Sequence, residues 1–76
     1  MEITWTVEYS LFVTDDEMKG MANIANYYIQ KGHEREEAIH EAVNDYLMGQ
    51  DDCIYYSITE EASQQIEDTL NKLLIE

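Results

Sequence analysis

His33, Glu37 and His40 stand at i, i+4 and i+7 in the run His33-Glu34-Arg35-Glu36-Glu37-Ala38-Ile39-His40. On a helix these three share a face, and two imidazoles with a carboxylate can hold zinc or iron. The zinc-protease spacing His-Glu-x-x-His is absent, and Gly32 directly before His33 works against a helix that includes it. Cys53 is the only cysteine. As a nucleophile it would need a base and a lowered pKa, and its neighbours Asp51 and Asp52 disfavour a thiolate. A half-buried structural thiol is the expectation. The pairs Asp15-Asp16, Asp51-Asp52 and Glu60-Glu61 contain the carboxylates that glycosidase chemistry uses, but that chemistry needs a deep cleft with one carboxyl in an apolar pocket. Asp15, Asp16 and Glu60 are accounted for as helix starts. The chain has neither a glycine-rich phosphate loop nor a calcium loop of alternating acids. A non-enzymatic protein with no catalytic residue, metal or cofactor is expected.

The acids dominate instead. Seventy-six residues carry 17 Asp and Glu against 4 Lys and Arg, a formal net charge of -13. Solubility is served by a magnitude of about 2 to 8 in a small domain. Charge of this sign disfavours direct binding to nucleic acid or to an anionic membrane surface, both of which need Lys and Arg. It favours a basic protein surface. The acids concentrate between His33 and Asp52: Glu34, Glu36, Glu37, Glu41 and Asp45 lie opposite an apolar face, and Asp51 and Asp52 follow just beyond. Glu34, Glu37, Glu41 and Asp45 recur about one helical turn apart (about 5.4 Å), a spacing that a groove built for phosphates about 3.4 Å apart along a strand could accept. Among the aromatics, Tyr28 and Tyr46 sit on apolar stripes. Tyr27 and one of Tyr55 and Tyr56 are candidate interface anchors, because exposed tyrosines serve well there. The partner-binding set is therefore Glu34, Glu36, Glu37, Glu41, Asp45, Asp51, Asp52, Tyr27 and Tyr56.

The elements that must position these residues follow from periodicity. Ile3, Trp5, Val7, Tyr9, Leu11 and Val13 alternate with more polar residues, which predicts a β-strand with one buried face. It is long for a strand, leaving room for a bend or for an end that pairs with another chain. Thr14 and Glu17 have the capping-box spacing before a helix whose stripe is Met18, Met21, Ala22, Ala25, Tyr28 and Ile29, ended by Lys31-Gly32. Ala38, Ile39, Ala42, Val43, Tyr46 and Leu47 line a second helix closed by Gly49. Cys53 to Ile58 predicts a short second strand, rich in aromatic and β-branched residues. Ser57 or Thr59 caps a third helix with Ala62, Ile66, Leu70, Leu73 and Leu74 inward. The expected fold is α+β: one small domain over 1–76, in the order β-α-α-β-α, with a two-stranded sheet packed on three helices. A lone cysteine, no signal-peptide pattern and no apolar run of membrane-spanning length point to a cytoplasmic protein.

Gly32-His33, Glu37-Ala38-Ile39, Ala42-Val43 and Tyr46-Leu47, behind a strand and a helix, resemble the ribbon-helix-helix domain over residues 7 to 49. The resemblance implies a dimer whose strands, here Ile3 to Val13, pair across a two-fold axis and read a DNA groove, with the second helix meeting phosphate. The positions it assigns to those contacts hold Thr6, Glu8, Ser10 and Phe12 on the strand and Glu34, Glu36 and Glu37 on the helix. Phosphate would repel these glutamates, and no Arg or Lys is placed to read a base. The alternative this implies is a dimeric regulator or antitoxin component that has lost or reduced direct DNA binding. In size, charge and lone cysteine the chain is also similar to the small acidic inhibitors of phages and mobile elements, of anti-CRISPR, anti-restriction and glycosylase-inhibitor type. That similarity implies a DNA mimic that occupies a basic, nucleic-acid-binding surface of a host protein.

Overall fold

The computed structural model describes residues 1–74. A β-hairpin comes first, β1 (Glu2–Thr4) against β2 (Ser10–Phe12), followed by four helices: α1 (Asp15–Gln30), α2 (Arg35–Met48), α3 (Asp52–Ser57) and α4 (Glu60–Leu73). The small α+β class with a two-stranded sheet is as expected. The order is β-β-α-α-α-α, and four helices replace the expected three.

Two stretches depart from expectation. The first is the long strand. It folds back on itself, antiparallel, with Glu2 opposite Phe12, Ile3 opposite Leu11 and Thr4 opposite Ser10. Odd-numbered residues thus oppose odd-numbered ones, so the alternation runs through the turn without a phase change. Period two cannot tell one strand of this length from a hairpin of this register. The turn also lacks a Gly, Pro or Asn signal. The Thr6 hydroxyl supplies it, accepting from the backbone N–H groups of Glu8 (3.2 Å) and Tyr9 (3.0 Å). Val7, expected on the buried face, is fully exposed at the apex.

The second departure is Cys53 to Ile58, which forms helix α3 and not a strand. Asp51 caps it through its side chain, accepting from Cys53 N, and its carbonyl accepts from Ile54 N and Tyr55 N. The backbone groups of α3 are satisfied locally, and among the described residues the sheet consists of the two hairpin strands alone. The Ser57 hydroxyl takes the Trp5 indole N–H at 3.1 Å, tying α3 to the hairpin. Thr59 therefore caps α4, accepting from Ala62 N.

The rest follows from local rules. Thr14 and Glu17 close a reciprocal capping box on α1. At its far end Gly32 takes φ 104°, a left-handed conformation that favours glycine. Gly32 N–H then donates to Ile29 O and His33 N–H to Tyr28 O, the paired bonds of a Schellman stop. That turn sends α2 back along α1. Ala25, Ala38 and Ala42, all fully buried, keep bulk off the facing sides. Ile3, Val13, Met18, Met21, Ile39, Val43, Leu47, Ala62, Ile66 and Leu70 complete the core, and among the described residues no polar or charged side chain is buried with them.

Ile66 has no exposed surface and lies centrally in this core. Ile66→Ala is expected to cost about 2–5 kcal/mol of unfolding free energy, read as a lowered urea midpoint.

Candidate functional site: an acidic helix flanked by exposed tyrosines

Helix α2 presents most of the expected partner-binding acids. Glu34 is its N-cap residue but makes no side-chain cap bond, so its carboxylate remains turned to solvent. Glu37, Glu41 and Asp45 continue the stripe along the helix. Glu37 meets His33 Nδ1 one turn back, and Asp45 accepts from the Tyr28 hydroxyl at 3.1 Å. That bond, then the charge of Asp45 itself, pushes the Tyr28 pKa up. Tyr28 is thereby fixed between the two helices, with Tyr27 edge-on to it at 5.7 Å.

Tyr27 is 55% exposed and carries the Lys31 ammonium over its ring at 5.3 Å. The α1–α2 corner thus places one expected anchor beside the carboxylate stripe. Tyr56, 81% exposed, stands on α3 with its ring edge-on to half-buried Tyr55. A helix separates these neighbours by about 100°, where a strand would have put them on opposite faces. Asp51 is engaged in capping α3, and Asp52 is exposed in its first turn.

Glu36 lies apart from the stripe. One residue, about 100° of rotation, separates it from Glu37 and turns it toward α4. There it lines a groove of about 690 Å³ with Arg35, Ile39, Gln64, Glu67 and Asp68. Sequence reasoning passed over this groove. Its α4 wall was legible only as Glu60, Gln64, Glu67 and Asn71 at i, i+4, i+7 and i+11, a polar stripe of the kind any wet helix face shows.

The histidines do not assemble the metal trio considered above. Helix α2 starts at Arg35, so His33 lies outside it, and His40 turns to Glu67 on α4 at 3.4 Å. No cluster of three metal-ligating side chains forms among the described residues. Cys53 is exposed in the first turn of α3, a correction to the half-buried strand thiol expected above.

Two groups near the start of α1 have shifted protonation. The Glu17 carboxyl is held below its ordinary pKa, chiefly because it accepts from the Thr14 backbone N–H. The Tyr46 hydroxyl is buried beside the Glu17 carboxyl, and burial first, then the Glu17 charge and its contact with the hydroxyl, pushes its pKa up to about 12.

The electrostatic result is simple. Among the described residues the only ionic contacts are the two histidine pairs, His33 with Glu37 and His40 with Glu67, and no carboxylate is at ion-pair distance from a lysine or arginine. Arg35 is spent on Asn71, through Nε to Oδ1 at 2.7 Å and a terminal nitrogen to the backbone oxygen at 2.8 Å. Mutual repulsion among the carboxylates is therefore nearly uncompensated.

Salt should consequently stabilise this fold. The screening length falls from about 30 Å at 0.01 M to about 10 Å at 0.1 M. A relief of about 1 kcal/mol would raise Tm by roughly 4–8 °C in a domain of this size. Thermal melts followed by circular dichroism across that range check it; a chain held by ion pairs would show the opposite trend.

No helix among the described residues is long and apolar enough to cross a membrane. No family model matches the chain, and neither a curated protein nor a solved structure matches it.

Proposed function

We propose that this chain is a non-enzymatic, cytoplasmic binding module that occupies the basic, nucleic-acid-binding surface of a host protein, an inhibitor of the DNA-mimic kind (anti-CRISPR or anti-restriction in type). The observation that carries the reading is the carboxylate stripe Glu34, Glu37, Glu41 and Asp45 on one helix, with no lysine or arginine at ion-pair distance from any of the four. Fixed negative charge at helical-turn spacing resembles a phosphate backbone to a partner that reads only charge and spacing. Tyr27, exposed near the end of α1, would supply an apolar anchor, and the exposed Asp52 and Tyr56 of α3 belong to the contact as proposed. Charge complementarity of this kind speeds encounter and selects against acidic partners.

The test is a DNA-release assay on the nucleases, glycosylases and CRISPR effectors of the host. The chain is expected to displace duplex DNA from at least one of them. Reversing Glu37, Glu41 and Asp45 to lysine should weaken that displacement by about a hundredfold or more with an unchanged circular dichroism spectrum. Undiminished displacement by the reversed chain would remove the stripe from the contact.

A second reading has one observation in its favour. β2, α1, the Gly32 turn and α2 follow in the order of a ribbon-helix-helix chain, and a hairpin strand keeps one backbone edge free for pairing. That reading makes the chain a dimeric regulator or antitoxin component joined through the Ile3 to Val13 region. Sedimentation equilibrium at high salt, where repulsion between two copies is screened, decides it: a dimer supports this reading and a monomer excludes it.

A further inference from the structure

We propose that the outer edge of β2 is a docking site for an extended, basic segment of the partner, which adds a third strand to the hairpin; this inference rests on the reading of the chain as an acidic binding module and gives that module a second, directional contact. The register fixes which backbone groups face outward. Trp5 N–H donates to Tyr9 O at 3.3 Å and Val13 N–H to Met1 O at 2.7 Å, on either side of the Ile3–Leu11 pair. Bonded and unbonded pairs alternate along an antiparallel ladder, so the odd-numbered residues bond across the hairpin. Ser10 and Phe12 then turn their N–H and C=O groups away from β1, and no turn or cap bond among the described residues takes them up. Helix α4 packs against β1, and among the described residues no helix runs along β2.

An open edge is a template for another strand unless lysine, proline or a bulge blunts it. The run Ser10-Leu11-Phe12 holds neither lysine nor proline, and its register passes without a bulge. Phe12, 62% exposed, stands on the outer face of the hairpin opposite Glu2. Charge selects the occupant. The first lysine of the chain is Lys19, and the charged side chains before it are Glu2, Glu8, Asp15, Asp16 and Glu17, all acids. A second copy would bring the same acids and a net charge of -13 to this edge, and like charges repel. An extended segment with lysine or arginine at alternate positions instead puts its cations on one face. There a cationic side chain lies on the Phe12 ring, with the Glu2 carboxylate across the hairpin from it. Main-chain bonds to Ser10 and Phe12 supply affinity, and the alternating side chains supply selectivity.

The experiment follows amide hydrogen exchange in the ¹⁵N-labelled full chain at low salt, alone and with a peptide that alternates lysine and valine. In the free chain the Leu11 and Val13 amides should be protected and those of Ser10 and Phe12 should not. At saturation the peptide is expected to slow exchange at Ser10 and Phe12 by about tenfold or more. Ser10→Pro removes one outward donor without changing charge, at a position where an edge strand accepts proline. It should weaken peptide binding about tenfold or more, whereas Ser10→Ala should change it less than about twofold. If Ser10→Pro fails to fold, Phe12→Ala, which removes the ring and no backbone group, should weaken binding in the same direction. Peptide binding with unchanged exchange at Ser10 and Phe12, or with full affinity for a folded Ser10→Pro chain, would overturn the edge but leave the acidic-module reading standing. That reading fails separately, through the lysine-reversal experiment. Protection of Ser10 and Phe12 in the concentrated chain without peptide would overturn the basic occupant in favour of a second copy.

Discussion

One constraint governs this chain: a thin apolar seam must hold together a surface that repels itself. A domain of this length buries only about 60% of the surface its unfolded chain exposes. At a net charge of -13, the solution is complete segregation. Ile3, Val13, Met21, Ala25, Ala38, Ala42, Ile66 and Leu70 lie at 1% exposure or less, and among the described residues no carboxylate, lysine or arginine is buried with them. The alanines matter most at the α1–α2 seam, where they allow close approach and Gly32 makes the reversal that brings the two helices together. Among the described residues no acid is buried, and no lysine or arginine stands at ion-pair distance from one.

Segregation also explains how the surface becomes specific. A helix whose buried face is fixed by packing has its wet face fixed as well. Ala38, Ile39, Ala42 and Val43 point inward, so Glu34, Glu37, Glu41 and Asp45 must share a stripe and Glu36 must turn toward α4. The tyrosines are positioned by the same logic. Tyr28 is pinned by Asp45 between the helices, which leaves its neighbour Tyr27 outside. Trp5 bonded to Ser57 holds α3 against the hairpin, and Tyr56 faces solvent as a result. Stability and the layout of the proposed binding surface are therefore set by one packing arrangement.

The sequence was legible where side-chain period and caps agree. The Thr14–Glu17 box, the Lys31-Gly32 stop and the inward residues of α1 and α2 could be read directly, as could Ala62, Ile66 and Leu70 of α4, whereas Leu73, expected inward, is 48% exposed. The hairpin could not, because its register preserves odd-even parity and its turn depends on the Thr6 hydroxyl, a weak signal without glycine or proline. Helix α3 was hidden for a different reason. Cys53 to Ile58 has strand propensity, but propensity yields to context, and the context here is the Asp51 cap and the Trp5–Ser57 bond that seats the segment against the hairpin. Of the candidate site, the acidic stripe and the exposure of Tyr27 were readable from spacing. The α2–α4 groove was not, because it depends on how two helices cross and on Arg35 reaching Asn71, 36 residues away.

The central claim is that these carboxylates stand where a partner would otherwise hold nucleic acid. The most direct measurement is capture of binding proteins from host lysate on the immobilised chain, followed by elution with duplex DNA at constant ionic strength. The account predicts that a nucleic-acid-binding protein is retained at low salt and that DNA releases it. Retention of a partner that DNA does not release, or of further copies of the chain alone, would contradict it.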